Sequence, residues 1–279
     1  MKHVFIYGGG KVGRALARAI AASGTAKRPP PKVTLRPARK GLPKTPIDAD
    51  LLILAVRDRD LTSVAQQLAD AKLVTKRTAC VHNAGAATAE ALAPLRAVSA
   101  GVAQMHPMIS FASTRLSPQL VRGNMHVQGD PIAVNRARAL AKAIGLTPRP
   151  FPGLDTVGYH AAAGLVANGA AALAAVGTEL LVTCGVPRDV APKMLGPLLR
   201  SVAWNVEGLG FPDALTGPVR RGDPGAVEKH LGVLRARLPA AVPLYLASVE
   251  AQIPLAKAIS EASPEAFEAI AAFVARSRA

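Results

Sequence analysis

The stretch from His3 to Ser23 constrains the fold more than any other part of the sequence. An apolar run, HVFIY, ends in the glycine-rich GGGKVG, and RALARAIAAS follows with apolar residues at helical spacing. This order predicts a strand, a tight turn and a helix. Gly8, Gly10 and Gly13 have the spacing G-x-G-x-x-G, which in this context is typical of turns that bind a dinucleotide.

Each glycine in this turn has a physical reason. Gly8 permits the tight turn, Gly10 lets a pyrophosphate approach the backbone, and Gly13 lets the helix pack closely on the strand. Free N–H groups and the helix dipole favour a negative group at the helix start. We therefore predict that the turn, including Lys11 and Val12, binds a nucleotide. The alternative is a tight turn with no ligand.

The predicted second strand, KVTLR (Lys32–Arg36), is followed by basic residues. An NAD enzyme usually has an acidic side chain here for the ribose hydroxyls, but this chain has RPARKG. Arg36, Arg39 and Lys40 suit a 2'-phosphate, because guanidinium and ammonium groups form charge-assisted bonds with phosphate. The sequence therefore favours NADP(H) as the cofactor. A solvated basic loop is the alternative.

Strands and helices continue to alternate up to about residue 151. Further strands are predicted at 49–56, 78–86, 101–111, 124–130 and 146–151, with helices starting after Val56 and at Pro131. This pattern predicts an α/β fold with a doubly wound Rossmann sheet over residues 1–153. Because ligands bind at the carboxyl ends of such strands, five residues are expected near one crevice, namely Val56, Arg57, His82, Asn83 and His106.

The second half of the chain contains helical patterns and no convincing strand pattern. Helices are predicted at 157–184, 188–206, 224–238, 240–259 and 264–277. Gly185 is expected to end the first of them, and Asp223 to cap the helix at 224. Residues 154–279 are thus predicted to form an all-helical domain.

The run from Val157 to Leu181 is apolar enough to raise the question of a membrane span. Its alanines and glycines contribute little transfer energy, and Asn168 lies in its middle. A buried helix of a soluble protein with no membrane contact is therefore predicted. Cys80 and Cys184 form no CxxC pair, and the N-terminal apolar run is too short for a signal peptide, so a cytoplasmic location is expected.

The chain is strongly basic, with a formal net charge of +16 and a pI near 10.6. The basic residues are scattered and are not interleaved with aromatic residues, so nucleic-acid binding is not predicted. A small anionic substrate fits the charge at least as well. The histidines lack metal-ligand spacing, and no metal is predicted.

Several longer motifs together resemble a known family. They are YGGGKVGRALA at the start, HNAGA at 82–86, MHPMISF at 105–111, YHAAAGLVAN at 159–168, and ALTGPVRRGD with EKHL. The chain resembles Rossmann-like proteins that carry the domain of unknown function DUF2520, distant relatives of pyrroline-5-carboxylate reductase, the β-hydroxyacid dehydrogenases and ketopantoate reductase. The resemblance covers nearly the whole chain.

This resemblance implies a Rossmann domain followed by an all-helical dimerisation domain similar to the C-terminal domain of 6-phosphogluconate dehydrogenase. It implies a homodimer formed through the C-terminal helices, and some family members are associated with ketopantoate reduction. In the related dehydrogenases a lysine on the first long C-terminal helix donates a proton, and an asparagine follows one turn later. Asn168 matches the asparagine, but Gly164 stands where the lysine would be.

The leading hypothesis is an NADPH-dependent reductase of a small anionic oxo acid, with ketopantoate as the specific substrate. His160, Asn168 and His106 are the candidate catalytic residues, since an imidazole can donate a proton and an amide can orient a carbonyl. Thr216, Arg221 and His230 are the candidate substrate-binding residues. The alternatives are a cyclic imine reductase, or a protein that binds NADP(H) without turnover. His160 and Asn168 could instead satisfy buried backbone groups at a helix interface.

Overall fold

The computed structural model describes residues 1–25 and 29–278. The chain divides into two compact units, Met1–Leu165 and Val166–Ala279. We call them the sheet unit and the helical unit. The division falls within one long helix, and the boundary predicted at residue 153 stays a prediction.

Seven strands in the described residues form one sheet. They are β1 His3–Tyr7, β2 Lys32–Arg36, β3 Leu51–Leu54, β4 Ala79–His82, β5 Gly101–Pro107, β6 Asn124–Gly129 and β7 Thr147–Arg149. Their order in the sheet is β2-β1-β3-β4-β5-β6-β7. The first five are parallel to one another, whereas β6 is antiparallel to β5 and parallel to β7.

Helices cover both faces of this sheet. They are α1 Lys11–Ala21, α2 Leu61–Asp70, α3 Ala93–Arg96 and α4 Pro131–Ala143. Alternate strand residues point to opposite faces, so Ile6 and Ile53 pack with the α1 and α4 side, while Leu52 and Leu54 pack with the α2 and α3 side. The α/β class with an N-terminal Rossmann sheet is therefore confirmed.

The parallel strands end at the same edge of the sheet. Tyr7 pairs with Leu54, Leu54 with His82, and His82 with Gln104. The segments that follow β1, β3, β4 and β5 therefore leave the sheet side by side. This carboxyl edge is where ligands bind in open α/β sheets.

The helical unit contains most of α5 and four further helices. Their bounds are α5 Thr156–Thr183, α6 Ala191–Leu209, α7 Pro224–Arg237, α8 Val242–Ile259 and α9 Pro264–Arg278. The core lies among α7, α8 and α9 and includes Leu231, Val249 and Ile270. The Asp223 side chain accepts a hydrogen bond from the Ala226 amide at 2.9 Å, so the predicted cap is confirmed.

The α5 helix differs from the prediction in one respect. It was expected to be buried, but within a single chain only Thr156 of this helix is buried. By length and composition it is also the one described helix that could span a membrane. The burial prediction is wrong for the single chain because the buried core of this unit is built by α7, α8 and α9.

Candidate functional site

The glycine turn after β1 leaves no room for side chains at two of its three fingerprint positions. Gly8 has a φ of +128°, and a Cβ there would lie 2.1 Å from the Ala55 carbonyl oxygen. A Cβ on Gly13 would lie 2.0 Å from the Gly8 carbonyl oxygen. Both clashes are with backbone, so the approach of β1, α1 and the end of β3 requires glycine at both positions.

Gly10 is different, because a Cβ there would meet no atom within 4 Å. Gly10 precedes α1, and the first amides of a helix, here those of Lys11, Val12 and Gly13, have no partner inside the helix. A cavity of about 470 Å³ begins at this point and is also lined by Ala55, Val56, Arg57, Ala38 and Gln67. The open space at a helix start fits a pyrophosphate.

The basic loop after β2 is fixed by hydrogen bonds from the arginine at the end of that strand. The Arg36 guanidinium donates to the carbonyl oxygens of Gly41, Lys40 and Leu42 at 2.7, 2.8 and 2.9 Å. This fixes the short turn Ala38–Lys40 beside the cavity. Arg39 and Lys40 are exposed on that turn, where a phosphate could reach them.

A second group of polar side chains lies at the same edge. We call His106, His126, Tyr159 and His160 the histidine cluster. The ring centroid of His106 lies 5.7 Å from that of His160 and 5.5 Å from that of Tyr159, and the His126 and Tyr159 centroids are 5.8 Å apart. A hydrogen bond of 3.3 Å joins the Tyr159 hydroxyl to His106 Nδ1.

Strand register and the start of α5 bring this cluster together. His106 on β5 pairs with His126 on β6, so both side chains point to the same face. The Thr156 hydroxyl donates to the Ala86 carbonyl oxygen at 3.1 Å and ties the start of α5 to the turn after β4. Tyr159 and His160 follow within the next turn of α5, and all of these residues belong to the sheet unit.

Gly85 is the point where the turn and the cluster meet. A Cβ on Gly85 would lie 2.2 Å from His160 Nδ1 and 2.8 Å from His106 Nε2. The Gln104 side chain donates to the carbonyl oxygens of Ala84 and Gly85 at 2.8 and 3.2 Å and so fixes the turn. Glycine at this position allows the imidazoles of both histidines to pack against the turn after β4.

Burial determines the charge of His106. Burial, together with the neighbouring imidazoles of His160, His126 and His82, lowers the pKa of His106 to about 4. His106 is therefore neutral at pH 7. Burial also raises the pKa of the Tyr159 hydroxyl, which remains protonated at that pH. The pair is thus an uncharged, hydrogen-bonded unit.

His82 and Asn83 have structural partners. The Ala84 amide donates to His82 Nδ1 at 3.2 Å, which leaves Nε2 to donate to the Thr88 carbonyl oxygen at 2.8 Å. Asn83 Nδ2 donates to the Met105 carbonyl oxygen at 2.7 Å. Asn83 Oδ1 is buried and has no hydrogen-bond partner among the described residues, so it is an acceptor that a ligand could use.

Sequence reasoning missed Gly85, His126 and Tyr159 as site residues. Tyr159 directly precedes His160, and Gly85 lies in the HNAGA motif, so both were visible as parts of motifs. Their contacts depend on register and on the path of α5, which a single sequence does not specify. In residues 1–25 and 29–278, no group of three His, Cys, Asp or Glu side chains could hold a metal ion.

The remaining predicted residues lie in the helical unit. Asn168, Thr216, Arg221 and His230 are all exposed there. His230 Nδ1 and the Tyr245 hydroxyl are hydrogen-bonded at 3.2 Å and line a cavity of about 420 Å³ that is otherwise mostly aliphatic. Their assignment to catalysis or substrate binding stays a prediction.

Comparison with family models supports the resemblance seen in the sequence. Residues 2–107 match the Rossmann-like domain, and residues 124–251 match the domain of unknown function DUF2520. The two matched regions follow one another and together span most of the chain. The predicted resemblance is thereby confirmed. The DUF2520 region contributes most of the histidine cluster, namely His126, Tyr159 and His160. The Rossmann-like region contributes His106 and the adjacent Gly85. No curated protein matches the chain.

Solved structures with the same fold include three that cover nearly the whole chain. Protein TM1727 from Thermotoga maritima is 21% identical, covering 91% of this chain and 98% of its own, with a TM-score of 0.65. Pyrroline carboxylate reductase from Plasmodium falciparum, with NADP bound, is 15% identical, with coverages of 93% and 98% and a TM-score of 0.58. Reductive aminase from Aspergillus terreus, in complex with NADPH and ethyl levulinate, is 18% identical, with coverages of 98% and 99% and a TM-score of 0.54.

Proposed function

We propose that this protein is an NADP(H)-dependent oxidoreductase that reduces a C=O or C=N bond of a small anionic acid. One observation carries the proposal. An open glycine turn, which follows the parallel strand β1, and a cluster of imidazole and phenol groups at the end of β5 lie at the same edge of one sheet. Two solved structures with this fold, described with NADP and NADPH bound, support the choice of cofactor.

The residues present fit such a cofactor. The space beside Gly10 and the first amides of α1 would hold the pyrophosphate, and Arg39 and Lys40 would hold the 2'-phosphate. Asn83 Oδ1 offers a buried acceptor at the same edge. When bound, the cofactor supplies the hydride for the reduction.

The chain's own residues supply the proton and the orientation. His160 is exposed and lies against Gly85, so its imidazole can donate a proton to a substrate oxygen or nitrogen. His106 is neutral and hydrogen-bonded to Tyr159, and this pair positions a polar substrate group without adding charge. Asn168 remains a candidate for orienting the substrate, and unchanged turnover in Asn168→Ala would assign that role to the histidine cluster alone.

Ketopantoate is the specific substrate that we propose for the reduction. It is a small anionic oxo acid, in keeping with the basic charge of the chain. Reduction of a cyclic imine is the second candidate, and the fold shared with a pyrroline carboxylate reductase and a reductive aminase favours it. Binding of NADP(H) without turnover is the third, because Gly164 stands where related dehydrogenases have a lysine.

The test has two steps. Calorimetry measures NADPH binding, and NADPH oxidation is then followed with a panel of 2-oxo acids and cyclic imines. Turnover of ketopantoate is expected, and His160→Ala should lower turnover with little loss of NADPH affinity. Binding without any turnover would favour the non-catalytic candidate. No nucleotide binding would exclude all three.

Arg39 tests the choice between the two nicotinamide cofactors. Arg39→Ala should weaken NADPH binding about fivefold, because an exposed guanidinium contributes about 1 kcal/mol to an anion. NADH binding should change little, since NADH lacks the 2'-phosphate. Calorimetry with both cofactors measures the difference, and equal losses would contradict the assignment.

We further propose a cytoplasmic homodimer formed through α5 and α6. Large apolar side chains on these helices are exposed in the single chain, among them Leu165, Val166, Leu198 and Leu209. Exposed apolar area of this kind is typical of an interface. A second copy would cover it without a membrane.

Light scattering after size-exclusion chromatography tests the dimer. Leu198→Glu should halve the measured mass, because it buries a charge in the proposed interface. Leu116→Glu, at a more exposed position in the sheet unit, is the matched control and should remain dimeric. A monomeric wild-type chain, or one recovered only with membranes, would contradict the proposal.

A further inference from the structure

One face of the sheet carries a continuous polar stripe next to the histidine cluster. Gln104 pairs with Gln128, His106 with His126, and His126 with Arg149. Paired residues point to the same face, so these side chains line up across β5, β6 and β7. The intervening residues Met105, Met125 and Val127 pack into the core on the opposite face. The stripe leads from the candidate reacting groups to Arg149.

A small pocket lies at the far end of this stripe. Its volume is about 360 Å³, within the range of small-ligand sites, and it is lined by Met108, Asn124, His126, Arg149, Phe151 and Tyr159. Tyr159 is shared with the histidine cluster, where its hydroxyl bonds to His106. A ligand in the pocket therefore lies against the same phenol that contacts the candidate reacting groups.

The pocket combines one cationic group with apolar walls. Arg149 Nε donates to Asn124 Oδ1 at 3.0 Å, and this bond orients the guanidinium while leaving its two terminal nitrogens for a ligand. Met108 and Phe151 expose 41% and 49% of their surface, so much of the apolar wall is uncovered. Phe151 stacks on His126 with ring centroids 6.0 Å apart, which holds that wall in place.

His126 adds a buried polar atom to the pocket wall. Its exposed fraction is 1%, and its Nδ1 makes no hydrogen bond of ordinary geometry. Burial lowers the pKa of His126, although the Gln128 side chain and the nearby Arg149 backbone act in the opposite direction. The charge in the pocket therefore comes from Arg149.

We propose that this pocket binds the carboxylate of the substrate, with Arg149 as the binding residue and with Met108, Phe151 and Tyr159 around an apolar body. A planar guanidinium matches the two oxygens of a carboxylate. The inference rests on the proposed function and narrows the substrate to a small monocarboxylate with a branched or aromatic body. It assigns the carboxylate to an arginine in the sheet unit, in addition to the Arg221 predicted from the sequence.

Binding without turnover provides the test. Ligand-observed NMR on the full chain without cofactor measures the affinity of 2-oxo-3-methylbutanoate and of its methyl ester. The acid should bind at least about tenfold more tightly than the ester, because the ester lacks the charge. Arg149→Gln should weaken the acid about tenfold and leave the ester unchanged. Arg138→Gln, on α4 and outside the pocket, should behave as the wild type.

Four results would overturn the assignment: no binding of the acid, equal binding of acid and ester, unchanged binding in Arg149→Gln, or tighter binding of inorganic phosphate than of the acid in competition. Failure of the proposed function is separate. If the acid binds in an Arg149-dependent way but NADPH is not oxidised, the proposed reductase function is contradicted and the carboxylate pocket is supported. If the enzyme turns over and Arg149→Gln leaves the KM for the acid unchanged, the pocket is contradicted and the reductase function is supported.

Discussion

The turns after β1 and β4 lie at the same edge of the sheet, and a side chain added at either of them would clash, but with different kinds of atoms. At Gly13 an added Cβ would strike the carbonyl oxygen of Gly8, which is backbone. At Gly85 it would strike the imidazoles of His160 and His106, which are side chains. In the first turn, the space for a side chain is therefore taken by neighbouring backbone. In the second, it is taken by side chains from residues that are distant in the sequence.

The largest expected effect is that of Gly13→Ala. Alanine normally favours a helix over glycine by about 1 kcal/mol. Here we expect a loss of about 3 kcal/mol, because backbone must move to admit the methyl group. Urea unfolding measures the change. Gly232→Ala, on α7 where a Cβ meets no atom within 4 Å, is the control and should be neutral or stabilising.

Gly85→Ala should affect turnover and leave the fold intact. The His160 ring would have to turn away from the new methyl group, and a misplaced catalytic group can lower the rate about a hundredfold. Steady-state kinetics with the substrate found in the panel measures kcat, and calorimetry should give unchanged NADPH affinity. Unchanged kcat would mean that the contact with Gly85 does not position His160 for the reaction.

The pH dependence of stability tests the burial of His106. The pKa of His106 falls from 6.5 to about 4 on folding, so between these values the unfolded chain binds more protons. This contribution to stability is complete above pH 6.5 and is lost as the pH falls to about 4. We expect a loss on the order of 3 kcal/mol, since one pKa unit corresponds to about 1.4 kcal/mol.

Unfolding in urea at pH 7 and pH 4.5 measures this effect. His106→Gln removes the titrating group and should reduce the difference between the two pH values. An identical difference in wild type and variant would show that His106 does not carry it. In that case, the imidazoles would contribute less to the stability of the turn after β4 than their close approach to Gly85 indicates.

Gly10→Ala should produce the smallest effect. This variant distinguishes a glycine that leaves space for a ligand from one that is needed for packing of the protein itself. A Cβ at Gly10 meets no protein atom within 4 Å, and the φ of −74° suits any residue. Stability should therefore stay unchanged, while NADPH affinity falls about tenfold because the methyl group occupies the space for the pyrophosphate. Unchanged affinity would indicate that the cofactor does not approach this glycine.

The fold was largely predictable because its elements depend on local patterns. The strands His3–Tyr7 and Lys32–Arg36 have the predicted bounds, and the helix predicted at 264–277 is observed at Pro264–Arg278. Apolar periodicity, glycine and proline set these bounds over a few residues each. The Asp223 cap was predictable for the same reason, since it involves residues only three apart.

The candidate site was predictable only in part. His106 and His160 were identified from their motifs, but their contact and the roles of Gly85 and Tyr159 were not. Arg36 was expected to bind phosphate, yet its guanidinium holds three carbonyl oxygens of its own loop. Which partner a long cationic side chain selects depends on the path of the backbone around it.

The sequence by itself determined the Rossmann alternation, the glycine turn and the helical second half, because each follows from the spacing of residues that are close along the chain. Only the tertiary structure decided that the start of α5 meets the turn after β4, and that β5, β6 and β7 align His106, His126 and Arg149 on one face. It also decided that the core of the helical unit is formed by α7, α8 and α9, while α5 is left exposed. These outcomes depend on strand register and on which helices pack together, and both are set by the free energy of the whole fold.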